Sequence, residues 1–240
     1  MHLGWRDLKS RYSQTFLGPW WSVATLMVVV GGSSFAISMI SGVSAWSNAP
    51  RLALGLAIWT LVSNVLVESS ELYISEKSLL LNTSLSEQTI WLRLAWRNYL
   101  IYLHNLLVVV IAFLIAGRVP STLIILMIPI GVATVASTAL IANLIAAFSL
   151  RIPDLRTIAP AIIQFLFFLT PILWILPPGA KGQLLLYLNP LSWGIVFAQS
   201  VVLDQSMHWA LFGLLLSSSL VSGMILLGSS RLYRNVRRRV

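Results

Sequence analysis

Residues 150–178, LRIPDLRTIAPAIIQFLFFLTPILWILPP, constrain this chain more than any other stretch. A basic turn, Arg151 to Arg156, stands at one end and a proline pair, Pro177 and Pro178, at the other, and no residue from 157 to 176 carries a charge. That length matches the ~20 residues with which an α-helix crosses ~30 Å of hydrocarbon. Pro160 and Pro171 would break such a helix in water, whereas a span within a bundle re-satisfies the freed carbonyls through neighbouring helices and Ser/Thr side chains. The stretch reads as a membrane span with both ends marked, and the rest of the chain is oriented from it.

The run has company. Of 240 residues 58% are hydrophobic and 10% charged, where a globular chain carries about a quarter charged residues. The expected fold is therefore an all-α membrane protein, with spans at 20–40, 52–72, 99–117, 122–148, 157–176 and 209–227. A seventh span at 184–203 is apolar enough but is interrupted by Asn189-Pro190, and counting it would carry the C-terminal arginines to the outer side. With six spans, 13 of the 16 Lys and Arg residues fall on one side, leaving Arg51, Arg118 and Lys181 on the other. That is the asymmetry of the positive-inside rule, so both termini are expected in the cytoplasm. The same distribution speaks against nucleic acid as the partner of the +9 net charge, because the cations flank apolar runs and face anionic lipid or a cytoplasmic protein.

Three segments between the spans carry most of the remaining information. Residues 1–17 place Trp5, Leu8, Tyr12 and Phe16 at helical spacing among Arg6, Lys9 and Arg11, the pattern of a helix lying in the membrane interface or of a positive flank before the first span. They lack the apolar core and cleavage site of a signal peptide, so no removal is expected. Residues 73–98 mix Glu76, Lys77, Glu87, Arg93 and Arg97 with Leu79, Ile90, Trp91 and Trp96. They are expected to form short amphipathic cytoplasmic helices, with one side for lipid and one for a partner. Residues 179–206 become an external re-entrant hairpin broken at Asn189-Pro190, which survives at membrane depth only when buried in protein or lining a cavity.

Motifs for chemistry within the chain are missing. There is no P-loop, no H-E-x-x-H, no metal-spaced set among three histidines, no nucleophile elbow and no cysteine. Glu68 and Glu71 lie near the cytoplasmic end of the second span, where pairing with nearby basic residues accounts for them, and no acid sits at mid-membrane for an ion relay. His104-Asn105 is the most polar intramembrane pair and suits interhelical hydrogen bonding. Most of the ten tryptophans fall at expected interfaces, but Trp59 and Trp193 do not. Phe35 shares a face with these two if the first, second and fifth spans line one path.

Read in order, Trp5-Arg6-Asp7-Leu8-Lys9-Ser10-Arg11-Tyr12, Leu17-Gly18-Pro19-Trp20, His104-Asn105, Ser149-Leu150-Arg151 with Asp154, Phe168-Leu169-Thr170-Pro171-Ile172-Leu173-Trp174 and Asn189-Pro190-Leu191 carry a resemblance over nearly the whole length. The chain resembles the permease subunit of ABC exporters that carry O-antigen or capsule polysaccharide across the bacterial inner membrane. Where that family often has an arginine after its Asn-Pro element, this chain has Gln199. The resemblance implies a permease homodimer with two cytoplasmic subunits that bind ATP and Mg, and no cofactor or catalytic residue in the chain itself. It implies an undecaprenyl-linked glycan as substrate, with Arg6, Lys9 and Arg11 near its pyrophosphate or the lipid interface. It further implies coupling to the ATPase through Glu76, Glu87, Trp91 and Arg93, an external gate at Pro171, Asn189 and Pro190, and a polymer conduit including Phe35, Trp59 and Trp193. Permeases for drugs, teichoic acid or lipids share the topology and stay open as readings. A secondary transporter would show intramembrane ionisable groups and repeats, and an enzyme would need a base and nucleophile that His104 has no partner to form.

Overall fold

The computed structural model describes residues 18, 20–42, 44, 46–77, 79, 87–176 and 179–228. The expected interfacial helix at 1–17, with Arg6, Lys9 and Arg11, lies outside the described residues. Among the described residues all regular structure is helical. The elements are α1 (Trp20–Ser41), α2 (Ala49–Ser69), the single turn α3 (Leu72–Ser75), α4 (Glu87–Ile115), a 3₁₀ turn (Thr122–Leu126) running into α5 (Met127–Ser149), α6 (Asp154–Leu169), α7 (Ala180–Leu188), α8 (Pro190–Val202) and α9 (Trp209–Gly228).

Four helical segments are long and apolar enough to cross a membrane, Trp20–Ser41, Ala49–Ser69, Gln88–Ile115 and Thr122–Ser149, and a fifth joins them if the bent pair α7/α8 counts as one. α2 is the axis of the bundle. Of its apolar window 72% is buried, against 22% for α1, and it packs on α1, α4, α5, α6 and α8. Conversely Val28, Phe35, Ile40, Phe165, Phe168 and Leu220 are exposed apolar side chains on outer helices, the surface that hydrocarbon rather than water would accept.

α2 and α4 are antiparallel neighbours. Asn98 Nδ2 donates to Glu68 Oε2 at 2.7 Å and, further along, Asn105 Nδ2 donates to Thr60 Oγ1 at 3.4 Å. Glycines set how closely α8 approaches. Gly55 of α2 lies against Ile172, Ile195 and the Gln199 amide, and Gly194 of α8 lies against Thr134 of α5, where a methyl group would collide with the Thr134 side chain. Small residues at such crossings let helix backbones approach in a membrane bundle.

Three boundaries differ from the sequence expectation. The third span was expected at 99–117, but α4 runs unbroken from Glu87. Residues 87–115 contain no glycine or proline to stop a helix. Half of the expected coupling segment is thus one rod with the span, about 43 Å long at 1.5 Å per residue. Its far end is a Schellman stop at Gly117 (φ +67), with Arg118 N–H on Phe113 O and Gly117 N–H on Leu114 O. The second helix covers Ala49–Ser69 rather than 52–72, starting at Pro50 in its first turn, where proline's fixed φ suits a helix start. The fifth, expected over 157–176, is Asp154–Leu169, and Thr170 is extended (φ −94, ψ 132). Pro171 disfavours the α conformation in the residue before it, so it ends this helix instead of kinking it.

Candidate functional site

The shortened α6 decides what meets what at the far end of the bundle. Because the chain turns at Thr170-Pro171, Thr170 faces the joint between α7 and α8, whose axes are bent by 116°. Asn189 is that joint. Its Oδ1 accepts from Leu191 N–H at 3.2 Å as the N-cap of α8, and its Nδ2 donates to Thr170 Oγ1 at 3.1 Å. Thr170 is fully buried, its hydroxyl in turn donating to Leu166 O at 2.8 Å. Pro190 opens α8 where its missing N–H costs nothing. Ser192 Oγ donates to Asn189 O at 2.6 Å within the first turn of α8, and Trp193 Nε1 donates to Leu186 O at 2.9 Å, which ties α8 back onto α7. Pro171, Asn189 and Pro190, named from separate stretches of sequence, therefore belong to one local cluster. An apolar groove of about 450 Å³ runs from this cluster, at Leu188 and Pro190, along α6 to Leu155.

The other end of α8 is fastened to the start of α2. Gln199, 4% exposed, donates from Nε2 to Arg51 O at 3.2 Å and accepts from Arg51 Nη1 at 3.4 Å, and the Arg51 guanidinium lies 3.9 Å from the exposed Asp204 carboxylate. Sequence reasoning noted Gln199 only as a departure and Arg51 only as a cation on the sparse side. The signal that linked them was there, since a lone cation and a polar residue in an apolar helix both need a partner.

The residues assigned to coupling divide. Glu76 and Arg93 pair with each other at 3.5 Å, and Glu87 opens α4 with its side chain outside the described residues. Trp91 is 5% exposed and packs within the core. On the rod of α4 the buried set is Ile90, Trp91, Leu94 and Ala95, and the exposed apolar residue is Leu92. Close by, Arg97 Nη2 meets Glu68 Oε2 at 2.7 Å, so Glu68 pairs with a basic neighbour as expected. In the basic turn, Arg156 Nη2 donates to Ser149 O at 3.2 Å, at the C-terminus of α5 where a cation is favoured.

The three rings expected on one face are not brought together. Phe35 is 58% exposed, on the side of α1 opposite its buried Val23, Leu26, Val30 and Ser34. Trp59 is buried against Phe167, ring centres 5.5 Å apart, and Trp193 is held within the α7/α8 joint. The expected shared face fails because α1 turns its small and aliphatic residues, not Phe35, toward α2. The His104 ring stays on its own helix, Nδ1 2.7 Å from Leu100 O, and stands edge-on to Trp20. Its neighbour Asn105 makes the interhelical bond.

Compared with the models of known protein families and with curated protein sequences, the chain matches none.

Proposed function

We propose that the chain is the membrane-spanning permease subunit of an ABC exporter for lipid-linked polysaccharide, acting as a homodimer in the bacterial inner membrane with two cytoplasmic ATP-binding subunits. The observation that carries this reading is the bond between Asn189 and Thr170. Phe168-Leu169-Thr170-Pro171 and Asn189-Pro190-Leu191 entered the resemblance as separate motifs, and they prove to be the two halves of one joint. In this reading α7 and α8 form the external gate, with Gln199 and Arg51 fastening its far end. ATP hydrolysis on the partner subunits is transmitted through the end of α4 that projects past α2. Leu92 and the Glu76–Arg93 pair are the groups offered there. Phe35, on the open side of α1, is the ring available to a conduit formed with a second copy, while Trp59 and Trp193 support the helices that border it.

The reading is tested by purifying the chain from its native membrane with whatever associates and by following the glycan in cells that lack it. Copurification with a P-loop ATPase, together with lipid-linked glycan retained on the cytoplasmic face when the chain is missing, is the expected result. An unchanged glycan surface would sink polysaccharide as the cargo. An ATPase partner in that case would leave a drug, teichoic acid or lipid permease.

A further inference from the structure

α1, α2 and α4 do not close on one another along their whole length. Between them lies a cleft of about 310 Å³, at the lower end of the ~300–1,000 Å³ typical of small-molecule pockets. Each helix gives it one face at i, i+4 spacing, with Trp21 and Thr25 from α1, Thr60 and Asn64 from α2, and Asn105 from α4, and the remainder is mainly aliphatic. The polar members sit where α1 begins and one turn before Glu68 of α2, so the cleft faces the end of the bundle that holds the Glu68, Arg97 and Asn98 cluster.

Its polar groups are under-used. Asn105 is 2% exposed, its Nδ2 makes only the long 3.4 Å bond to Thr60, and its Oδ1 is buried with no donor. Buried amide oxygens in folded proteins almost always have a donor, so an orphan in a cavity wall marks where a further donor belongs. Across the cleft, Asn64 and Thr25 add an amide and a hydroxyl to the same lining. Among the described residues no Asp, Glu, Lys or Arg lines the cleft, so this lining offers a metal ion, phosphate or ammonium group none of the opposite charge that each needs when taken from water. What remains is a neutral group bearing several hydroxyls. Trp21, half exposed beside the cleft, supplies the flat apolar surface that the C–H face of a pyranose ring covers.

We infer that this cleft binds a single neutral sugar ring, with Asn105 Oδ1 and Asn64 receiving and donating hydroxyl hydrogen bonds and Trp21 covering one face. The inference rests on the glycan-export reading and adds to it a holding site inside one protomer, apart from the α7/α8 joint.

The chain contains no cysteine, so one introduced thiol reports on the cleft without background. The full chain carrying Thr25→Cys is placed in phospholipid nanodiscs free of glycoside detergent and treated with a charged methanethiosulfonate reagent. Arg118→Cys, in the exposed turn that follows α4, serves as the control. Expected is reaction at Thr25→Cys that slows several-fold with at least one of glucose, galactose, mannose, rhamnose or N-acetylglucosamine and is unaffected by betaine, with no such protection at Arg118→Cys. Adding Asn105→Leu abolishes the protection, and Asn64→Leu serves the same purpose should Asn105→Leu fail to fold. Absence of reaction at Thr25→Cys, or reaction that none of the sugars slows, overturns the site. The export reading is judged separately, on glycan at the cell surface. Sugar protection in a chain whose loss leaves surface glycan unchanged would keep the site and discard the reading, and the reverse pattern would do the opposite.

Discussion

Asn189 makes two separable interactions, and each has its own substitution. The N-cap bond to Leu191 N–H survives in Asn189→Ser, because a serine oxygen accepts from the same region, while the 3.1 Å bond to Thr170 requires the amide nitrogen. Loss of a cap alone costs about 1 kcal/mol, within a range of about 0.5–2. Thermal unfolding in a mild detergent should therefore rank wild type above Asn189→Ser above Asn189→Ala, and equal values for the two variants would show that the cap carries no weight. Glu68 offers a second test, since its carboxylate receives both Arg97 and Asn98 at 2.7 Å. Glu68→Gln keeps an acceptor for Asn98 but leaves Arg97 without its counter-charge, and a loss of about 1.5–3 kcal/mol is expected for a hydrogen bond to a charged group. A double-mutant cycle with Arg97→Met should then show the two losses to be non-additive. The pairing of Glu68 was legible in the sequence, because an acid near several cations at a membrane interface has few other uses. The partner of Asn189 was not, because a contact across 19 residues depends on where α6 stops.

Helix existence was readable where the apolar runs are long, as in α1 and α9, and helix boundaries were lost where a local rule outweighed hydrophobicity. Pro171 stopped α6 although apolar residues continue to Leu176, and the lack of any breaker between 87 and 99 let α4 absorb what read as a separate amphipathic helix. Once α4 is one rod, its phase places Trp91 inward and Leu92 outward, a distinction that composition could not make. Replacing Trp91 with Ala should accordingly destabilise the protein, by about 3–5 kcal/mol on the scale of buried aromatics. Leu92→Glu should leave unfolding unchanged and, on the exporter reading proposed above, weaken association with the ATPase subunit. If Leu92→Glu leaves ATPase association and coupled hydrolysis untouched, the docking surface is elsewhere on the cytoplasmic end. The close approach of α8 to α5 is tested by Gly194→Ala, whose methyl group meets the stiff, β-branched Thr134. Overpacking of about 1–3 kcal/mol is expected, and Thr134→Ala in the same chain, by removing the hydroxyl that the added methyl meets first, should recover part of it.

At the scale of the whole molecule the open quantity is how often the chain crosses the membrane, and α7 with α8 decides it. Taken as one straight helix the pair would be long enough to cross. With helical rises of 1.5 Å per residue, the segments Lys181–Leu188 and Pro190–Val202 are about 12 Å and 20 Å long, and a bend of 116° between them leaves their outer ends roughly 18 Å apart. That falls well short of ~30 Å of hydrocarbon, and on the exporter reading the pair enters and returns on one side. Its contacts agree with burial in protein at that depth, because α8 is covered by α2, α5 and α9, and backbone that leaves the helix at Asn189 must be shielded from lipid. An uncrossed pair keeps the C-terminal arginines on the same side as Lys77, Arg93, Arg151 and Arg156, and 13 of 16 cations then share the cytoplasmic face. A reporter fused after Val240 should read cytoplasmic. Thiols introduced singly as Arg118→Cys and Lys181→Cys into this cysteine-free chain should react with an impermeant reagent from outside the intact cell, and Arg151→Cys should not. An external reporter at Val240 with Lys181→Cys still reactive from outside would mean that the chain crosses an even number of times after Lys181, and the bend at Asn189 would then have to open when the protein is in its membrane.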